Sequence, residues 1–497
     1  MTTPDWVQDA IFYQIFPDRF ARSKRNPAFS LPFESWDSPP THHGFKGGDL
    51  YGVAEKLDYL HSLGINAIYL NPIFASASNH RYHTYDYYNV DPLLGGNDAL
   101  KVLLAEAHQR GIRVILDGVF NHASRGLWQF HHVLETGAAS PYRDWFHFDE
   151  DRLHGRKSWG AYPNTGELRA LEKGENSLKA IGYQGWWNLP ALPKFNTRSP
   201  AVRAFLFDAA EYWIKFGIDG WRLDVPTEID DDSFWQEFRR RVRALNGEAY
   251  IVGEIWHESQ RWLQGDQFDA VMNYLVTAAS LSFFGARTLN IKVVSDAGGI
   301  KDRVHAMDAP AFANEIDRLL HLYKPEIVRS QLNLLDSHDM PRFLTCAGGD
   351  ASALKLAWLF LMTIPGAPCI YYGDEIGVDG EHDPACRKSF PWDETKWNRD
   401  LLDYLKVAIS LRKTHPSLRR GTFTRLWSAD DVYAFGRAHA DETLVAAFNA
   451  SESPRPLEVR SEAKKKPKAL FGAPSEVESK NGTLRFVIPA RSGVVLG

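Results

Sequence analysis

Apolar residues along most of this chain come in short runs separated by longer stretches of helical period. Eight runs read as strands: AIFYQIF (10–16), NAIYL (66–70), RVILDGV (113–119), IDGWRLDV (218–225), YIVGEI (250–255), FDAVMNY (268–274), QLNLLD (331–336) and APCIYY (367–372). Between them lie amphipathic helices. Leu100, Leu103, Leu104 and Ala107 follow the i, i+3, i+4, i+7 spacing, as do Val202, Phe205, Leu206 and Ala209. The second helix is preceded by Ser199 as a cap, with Pro200 at its first position. Strands alternating with helices predict parallel βαβ units. Eight such units predict a closed (β/α)8 barrel, whose reactive groups sit at the C-terminal strand ends.

The rhythm breaks twice. Residues 123–190 form a long irregular excursion after the third strand, and an excursion of that length inside a compact domain is usually functional. It holds Trp128, Trp145, Trp159, Trp186 and Trp187 in a context rich in His, Gly and Asn, which predicts poor core packing and flat aromatic faces suited to sugar rings. From about residue 420 the pattern becomes purely β. VYAF (432–435), TLVAAFN (443–449) and TLRFVIP (483–489) read as strands, with Asn481-Gly482 as a hairpin turn. The expected organisation is therefore a barrel from residues 1–122 and 191–418, an inserted cleft domain at 123–190, and an antiparallel β domain at 419–497. The basic cluster Lys464–Lys468 reads as a solvated loop.

Composition narrows the possible functions. The 497 residues are 44% hydrophobic, enough for a large core. The net charge of −5 comes without a basic stripe, which argues against nucleic acid and against a membrane surface. The most apolar stretch, 354–372, is interrupted by Lys355 and Pro365-Gly366 and reads as a core helix followed by a buried strand. The N-terminal residues lack the charged and apolar regions of a signal peptide. Cys346, Cys369 and Cys386 are too few for a disulfide framework and lack metal spacing, so a reducing cytoplasm is expected.

Four segments carry chemistry: DGVFNH (117–122), GWRLDVPTE (220–228), GEIWH (253–257) and LLDSHDMPR (334–342). In order and spacing they resemble the four signature regions of the α-amylase superfamily. Cleaving an acetal with retention needs two carboxylates about 5–5.5 Å apart, one attacking the anomeric carbon and one serving as acid and then base. The resemblance implies Asp224 as nucleophile, Glu254 as acid/base and Asp339 as the group that grips the ring hydroxyls. A lone carboxylate at a strand end more often caps a helix or pairs with Arg, and it is the four segments together that reverse that reading. Arg222 shares a strand face with Asp224, so a fixed cation is expected beside the nucleophile. The resemblance further implies sugar contacts for His122, His338 and Tyr82, and for the pair Asp383 and Arg387 in DPACRKSFPWD, which could equally be a turn salt bridge. Asp117 and Asn121 are expected to brace the site.

LPKFN (192–196), Val225 and Glu228 after the nucleophile, and Trp256 and His257 after the acid/base are similar to the neopullulanase, cyclomaltodextrinase and maltogenic amylase group. That implies hydrolysis of α-1,4 and often α-1,6 bonds in maltooligosaccharides, pullulan, cyclodextrins or starch, with some transglycosylation. The alternatives are a transferase or isomerase of the same superfamily and a homologue that binds sugar without cleaving it. The first barrel strand begins near residue 10, leaving no room for the group's extra N-terminal β domain, so a monomer is favoured. His83 stands where the group has Asp. The loop ARSKRNP (21–27) lacks carboxylates, and Glu228 replaces a histidine that supports calcium elsewhere in the superfamily. Calcium needs several hard oxygens, so no metal and no cofactor is expected.

Overall fold

The computed structural model describes residues 3–157, 162–460 and 467–497. Trp159 and Lys464–Lys466 lie outside the described residues.

All eight expected strands form, each shorter than its apolar run. They are β1 (Phe12–Ile15), β2 (Ala67–Leu70), β3 (Arg113–Gly118), β4 (Gly220–Leu223), β5 (Tyr250–Gly253), β6 (Ala270–Val271), β7 (Leu332–Leu334) and β8 (Ala367–Tyr371). Consecutive strands pair in parallel, β8 returns to β1, and a bridge between Met272 and Leu332 joins β6 to β7 and closes the barrel. The β6 ladder is short because Asn273 turns the chain: its N–H donates to the Leu332 carbonyl (2.8 Å), and the helix Tyr274–Phe284 starts at once. β4 and β5 approach closely at Gly220, where a Cβ would lie 2.1 Å from the Tyr250 carbonyl oxygen, so no larger residue fits.

The expected helices appear as Gly96–Gln109 and Pro200–Phe216. Pro200 occupies the first helical position, but the Ser199 side chain makes no capping hydrogen bond. The apolar stretch divides as expected into the helix Ala351–Thr363, buried on nearly all sides, and β8. Its neighbours explain that burial. Phe360 meets Phe284 and Phe312 from barrel helices, and Tyr433, Phe435 and Phe448 from the C-terminal domain.

The C-terminal domain is a sandwich of a five-stranded and a three-stranded antiparallel sheet around Val445, Leu457, Leu484, Phe486 and Val494. Asn481 and Gly482 both have positive φ (52° and 74°) and join Ser475–Lys480 to Thr483–Ile488 as the expected hairpin. Arg412 and Arg437 are buried at the seam between this sandwich and the barrel. Arg412 donates to the carbonyls of Met362, Ile364, Gly366 and Leu418, and Arg437 to those of Thr363, Gly421 and Thr422. Together they satisfy carbonyls at the end of Ala351–Thr363 that have no partner within the helix. Burial pushes the Arg412 guanidinium down to about 9. Arg412→Met would leave those carbonyls buried and unpaired, at about 3 kcal/mol or more in urea unfolding. A loss below about 1 kcal/mol would show that water replaces the side chain.

The excursion forms a small unit with a core of its own, which its composition concealed. Phe130 contacts Phe146, Phe148 and Tyr183, and Trp145 is buried against Phe205. Trp128 and Trp187 remain exposed.

Candidate active site

The carboxylates meet because their strands end side by side. The backbone ladder runs one residue past β4 and β5: the Asp224 N–H donates to the Gly118 carbonyl (3.1 Å) and the Glu254 N–H to the Leu223 carbonyl (2.9 Å). Both side chains therefore leave the barrel at fixed height. Arg222 lies beneath them, fully buried. Its Nη1 donates to Asp117 (2.8 and 3.0 Å) and to Asp224 Oδ1 (3.1 Å), and its Nη2 lies 3.1 Å from Glu254 Oε2. One guanidinium thus bridges the two carboxylates implied to do the chemistry. Asp224 Oδ2 is buried and has no hydrogen-bond partner among the described residues.

Asp224 and Glu254 are further coupled through the backbone. Val225 has φ +35° and ψ +50°, a left-handed conformation that a β-branched residue rarely adopts. It aims the Val225 N–H at Glu254 Oε2 (3.0 Å). Trp256 Nε1 donates to Glu254 Oε1 (3.0 Å), and the Trp256 ring stacks on Tyr274 at 3.5 Å. Both oxygens of Glu254 are therefore fixed in direction.

On the opposite wall, Tyr82 and His338 lie with parallel rings, 5.4 Å between centroids. Tyr82 Oη meets His338 Nε2 (2.6 Å) and donates to Asp117 Oδ2 (2.8 Å), and Gln14 Nε2 contacts His338 Nδ1 (2.9 Å). Asp339 lies 3.0 Å from His338 and 3.3 Å from Arg387, which also pairs with Asp383 at 3.0 Å. His122 is buried and stacks face to face on Trp186 at 4.8 Å.

Burial is the largest influence on most of these groups. It pushes the Asp224 carboxyl well up, aided by Glu254 and opposed by Arg222. Burial and Glu254 push Asp339 up to about 7, against Arg387 and Arg222. Burial drives His122 down to about 3 and His338 well below its usual value, so both rings are neutral hydrogen-bonding groups near pH 7.

Residues 14–428 match the family described as alpha amylase, catalytic domain. The chain belongs to the α-amylase family. It is a glycoside hydrolase with a (β/α)8 catalytic domain. It is 44% identical over 468 residues to a cyclomaltodextrinase of Geobacillus thermopakistaniensis, covering 92% of this chain and 72% of that one. It is 41% identical to neopullulanase 2 of Thermoactinomyces vulgaris, covering 100% and 78%. Among solved structures it superposes on the debranching enzyme of Nostoc punctiforme with a TM-score of 0.88 at 46% identity, covering 100% and 99%.

Two of the α-amylase-family positions read from the sequence stand apart from the carboxylate cluster. Glu228 is exposed and pairs with Lys194 of the LPKFN segment (3.2 Å), tying the end of the excursion to the loop after β4. His257 is exposed and its Nδ1 contacts the Glu258 carbonyl (2.8 Å). Asp117 is fully buried among Arg222, Tyr69 and Tyr82. Gln14, Asn71, Tyr69 and Tyr274 also shape the site and were not singled out from sequence. Gln14 was visible as a polar break in an apolar strand, and Asn71 as the polar residue ending the second run.

Beneath Asp339 lies a second acid pair. Asp336 and Asp374 are both buried, Arg342 Nη1 donates to Asp374 Oδ1 (2.7 Å), and the Phe343 N–H donates to Asp336, while Asp336 Oδ1 and Asp374 Oδ2 have no hydrogen-bond partner among the described residues. Burial, then the Asp336 carboxylate, push Asp374 well above its ordinary range. A raised folded value means that the native state holds a proton the unfolded state has released. This contribution is complete below about pH 4 and is lost as pH climbs toward the raised value. Asp374→Asn keeps an oxygen for Arg342 and removes the titrating carboxyl. Its stability should therefore fall less than wild type between about pH 5 and 9. Parallel unfolding curves for the two proteins across that range would refute the raised Asp374 carboxyl.

Proposed function

We propose that the protein is a retaining α-glucan hydrolase that cleaves α-1,4 and α-1,6 glucosidic bonds in maltooligosaccharides, cyclodextrins and pullulan, with some transfer to sugar acceptors. The observation that carries this is the Arg222 bridge, which holds Asp224 and Glu254 on adjacent nitrogens of one guanidinium. That arrangement suits the short carboxylate separation of a double displacement.

In this reading Asp224 Oδ2 attacks the anomeric carbon while Glu254 donates a proton to the leaving oxygen, giving a covalent β-glycosyl ester. Glu254 then takes a proton from water, which attacks the same carbon and releases the α-product and Asp224. The chemistry needs one ionised and one protonated carboxyl. Asp339 and neutral His122 and His338 hold ring hydroxyls, and Tyr82 lies beneath the ring. Asp383 and Arg387 contact the neighbouring sugar, and Glu228, Trp256 and His257 border the leaving-group side. No metal or cofactor enters these steps. The assembled carboxylates weigh against a non-catalytic role. Three free buried cysteines support a reducing, cytoplasmic setting, and we read the protein as a monomer. Among the described residues no helix is long and apolar enough to cross a membrane.

A product time course with maltotriose, β-cyclodextrin, pullulan and starch tests the reading. Fast cleavage of maltotriose and pullulan with slow cleavage of starch is expected, the first α-product appearing with retained configuration. Cleavage of none of the four would overturn it.

A further inference from the structure

We infer that Trp187 is a sugar-binding platform outside the reactive subsite, which sets the preference for longer or branched glucan chains; the inference rests on the proposed α-glucan activity. Trp187 is 76% exposed, the most exposed of the large hydrophobic side chains on the described surface. It nevertheless packs against its neighbours. Its ring stacks on Trp186 at 4.5 Å and 14°, and Trp186 in turn stacks on His122 at 4.8 Å and 6°. Three nearly parallel rings thus run from the floor of the site to solvent. The last of them turns an open aromatic face outward.

The backbone under Trp187 is built for this display. Trp187 and Asn188 both have positive φ (51° and 59°), which costs free energy in non-glycine residues and persists only where the surroundings impose it. Here they do. The Asn188 N–H donates to the Gly185 carbonyl (3.1 Å), the Leu189 N–H to Trp186 (2.9 Å) and the Trp186 N–H to Leu192 (2.9 Å). The Asn188 side chain accepts from the Ser177 N–H (3.0 Å). At Gly185 a Cβ would lie 2.3 Å from the Leu189 carbonyl oxygen, so the turn closes only over glycine. Bridges from Gly185 to Pro193 and from Lys194 to His122 tie the turn to the catalytic wall. A strained, tethered turn that exposes a tryptophan beside a saccharide site has no packing rationale: burial would recover apolar area that exposure forfeits. An indole face matches the C–H face of a glucose ring, and Trp187 is linked to His122 only through Trp186, which places it beyond the reactive subsite.

The test compares wild type, Trp187→Ala and Trp187→Phe on p-nitrophenyl α-glucoside, which fills only the reactive subsite and its exit, and on maltohexaose. Trp427→Ala, an exposed tryptophan of the C-terminal domain, is the matched control. Trp187→Ala is expected to raise KM for maltohexaose about tenfold, the loss of one ring-stacking contact. It should leave kcat, and both constants on the small substrate, within about twofold. Trp187→Phe should recover part of the loss, and Trp427→Ala should match wild type. Unchanged maltohexaose kinetics would overturn the platform while leaving the hydrolase reading intact. An equal fall in kcat on both substrates would also overturn it, showing that Trp187 only props Trp186 against His122. Failure of wild type to cleave either substrate would instead defeat the underlying function.

Discussion

Glu254→Gln is expected to lower kcat on maltooligosaccharides by about 10²–10⁴-fold, the range for loss of a positioned general acid. The amide oxygen still accepts from one of the two N–H donors, Trp256 Nε1 or the Val225 backbone, and the shape of the side chain is unchanged, so the fold and sugar binding should survive. A substrate whose leaving group needs no proton, such as a glycosyl fluoride, should recover much of the first step. Added azide should then accelerate turnover and give the azide product of retained configuration. Asp224→Asn should be slower still, because no covalent ester forms, and azide should give the inverted product. The two stereochemical outcomes separate the roles: azide products of the same configuration from both variants would sink the assignment. Near-normal turnover by either variant would do the same.

Arg222→Met is expected to be the most damaging single substitution to stability, at about 3–5 kcal/mol, the cost of breaking a buried ionic cluster by removing one partner. Arg222 is the only cation bonded to Asp117 among the described residues, and burial already pushes the Asp117 carboxyl upward against it. Without the guanidinium the folded-state values of Asp117 and Asp224 rise further above the unfolded ones. The variant's remaining stability should then be greatest at acid pH and fall as pH rises through those values, the sign expected when the native state holds the extra protons. Urea unfolding at pH 5 and pH 8 checks this. The gap between variant and wild type should be wider at pH 8. An equal gap at both values would mean that the loss comes from packing around the aliphatic stem. Arg222→Lys should recover little, because a single ammonium cannot span Asp224 and Glu254 as the fork does.

Much of this molecule was legible in its sequence. The eight barrel strands followed from apolar runs of limited length, since a parallel strand covered on both faces must be continuously apolar. The Asn481-Gly482 hairpin followed from the positive φ that only such residues adopt readily. Some C-terminal strands carry no sequence signal, because edge strands such as Ser475–Lys480 are mostly exposed and polar and no alternation marks them. The core of the excursion escaped for a related reason: Phe130, Phe146 and Tyr183 are far apart in sequence and meet only through irregular backbone.

The sequence by itself determined the strands, the order of the four carboxylate-bearing segments, and hence which acids stand at the rim of the barrel. These properties depend on local periodicity and on strand ends. Only the tertiary structure decided that one guanidinium bridges Asp224 and Glu254, that Val225 is held left-handed to direct an N–H at Glu254, and that Trp187 faces solvent at the end of a stack from His122. Each of those depends on angles and distances between segments remote along the chain, which barrel closure and the tethered turn impose and which no local pattern of residues encodes.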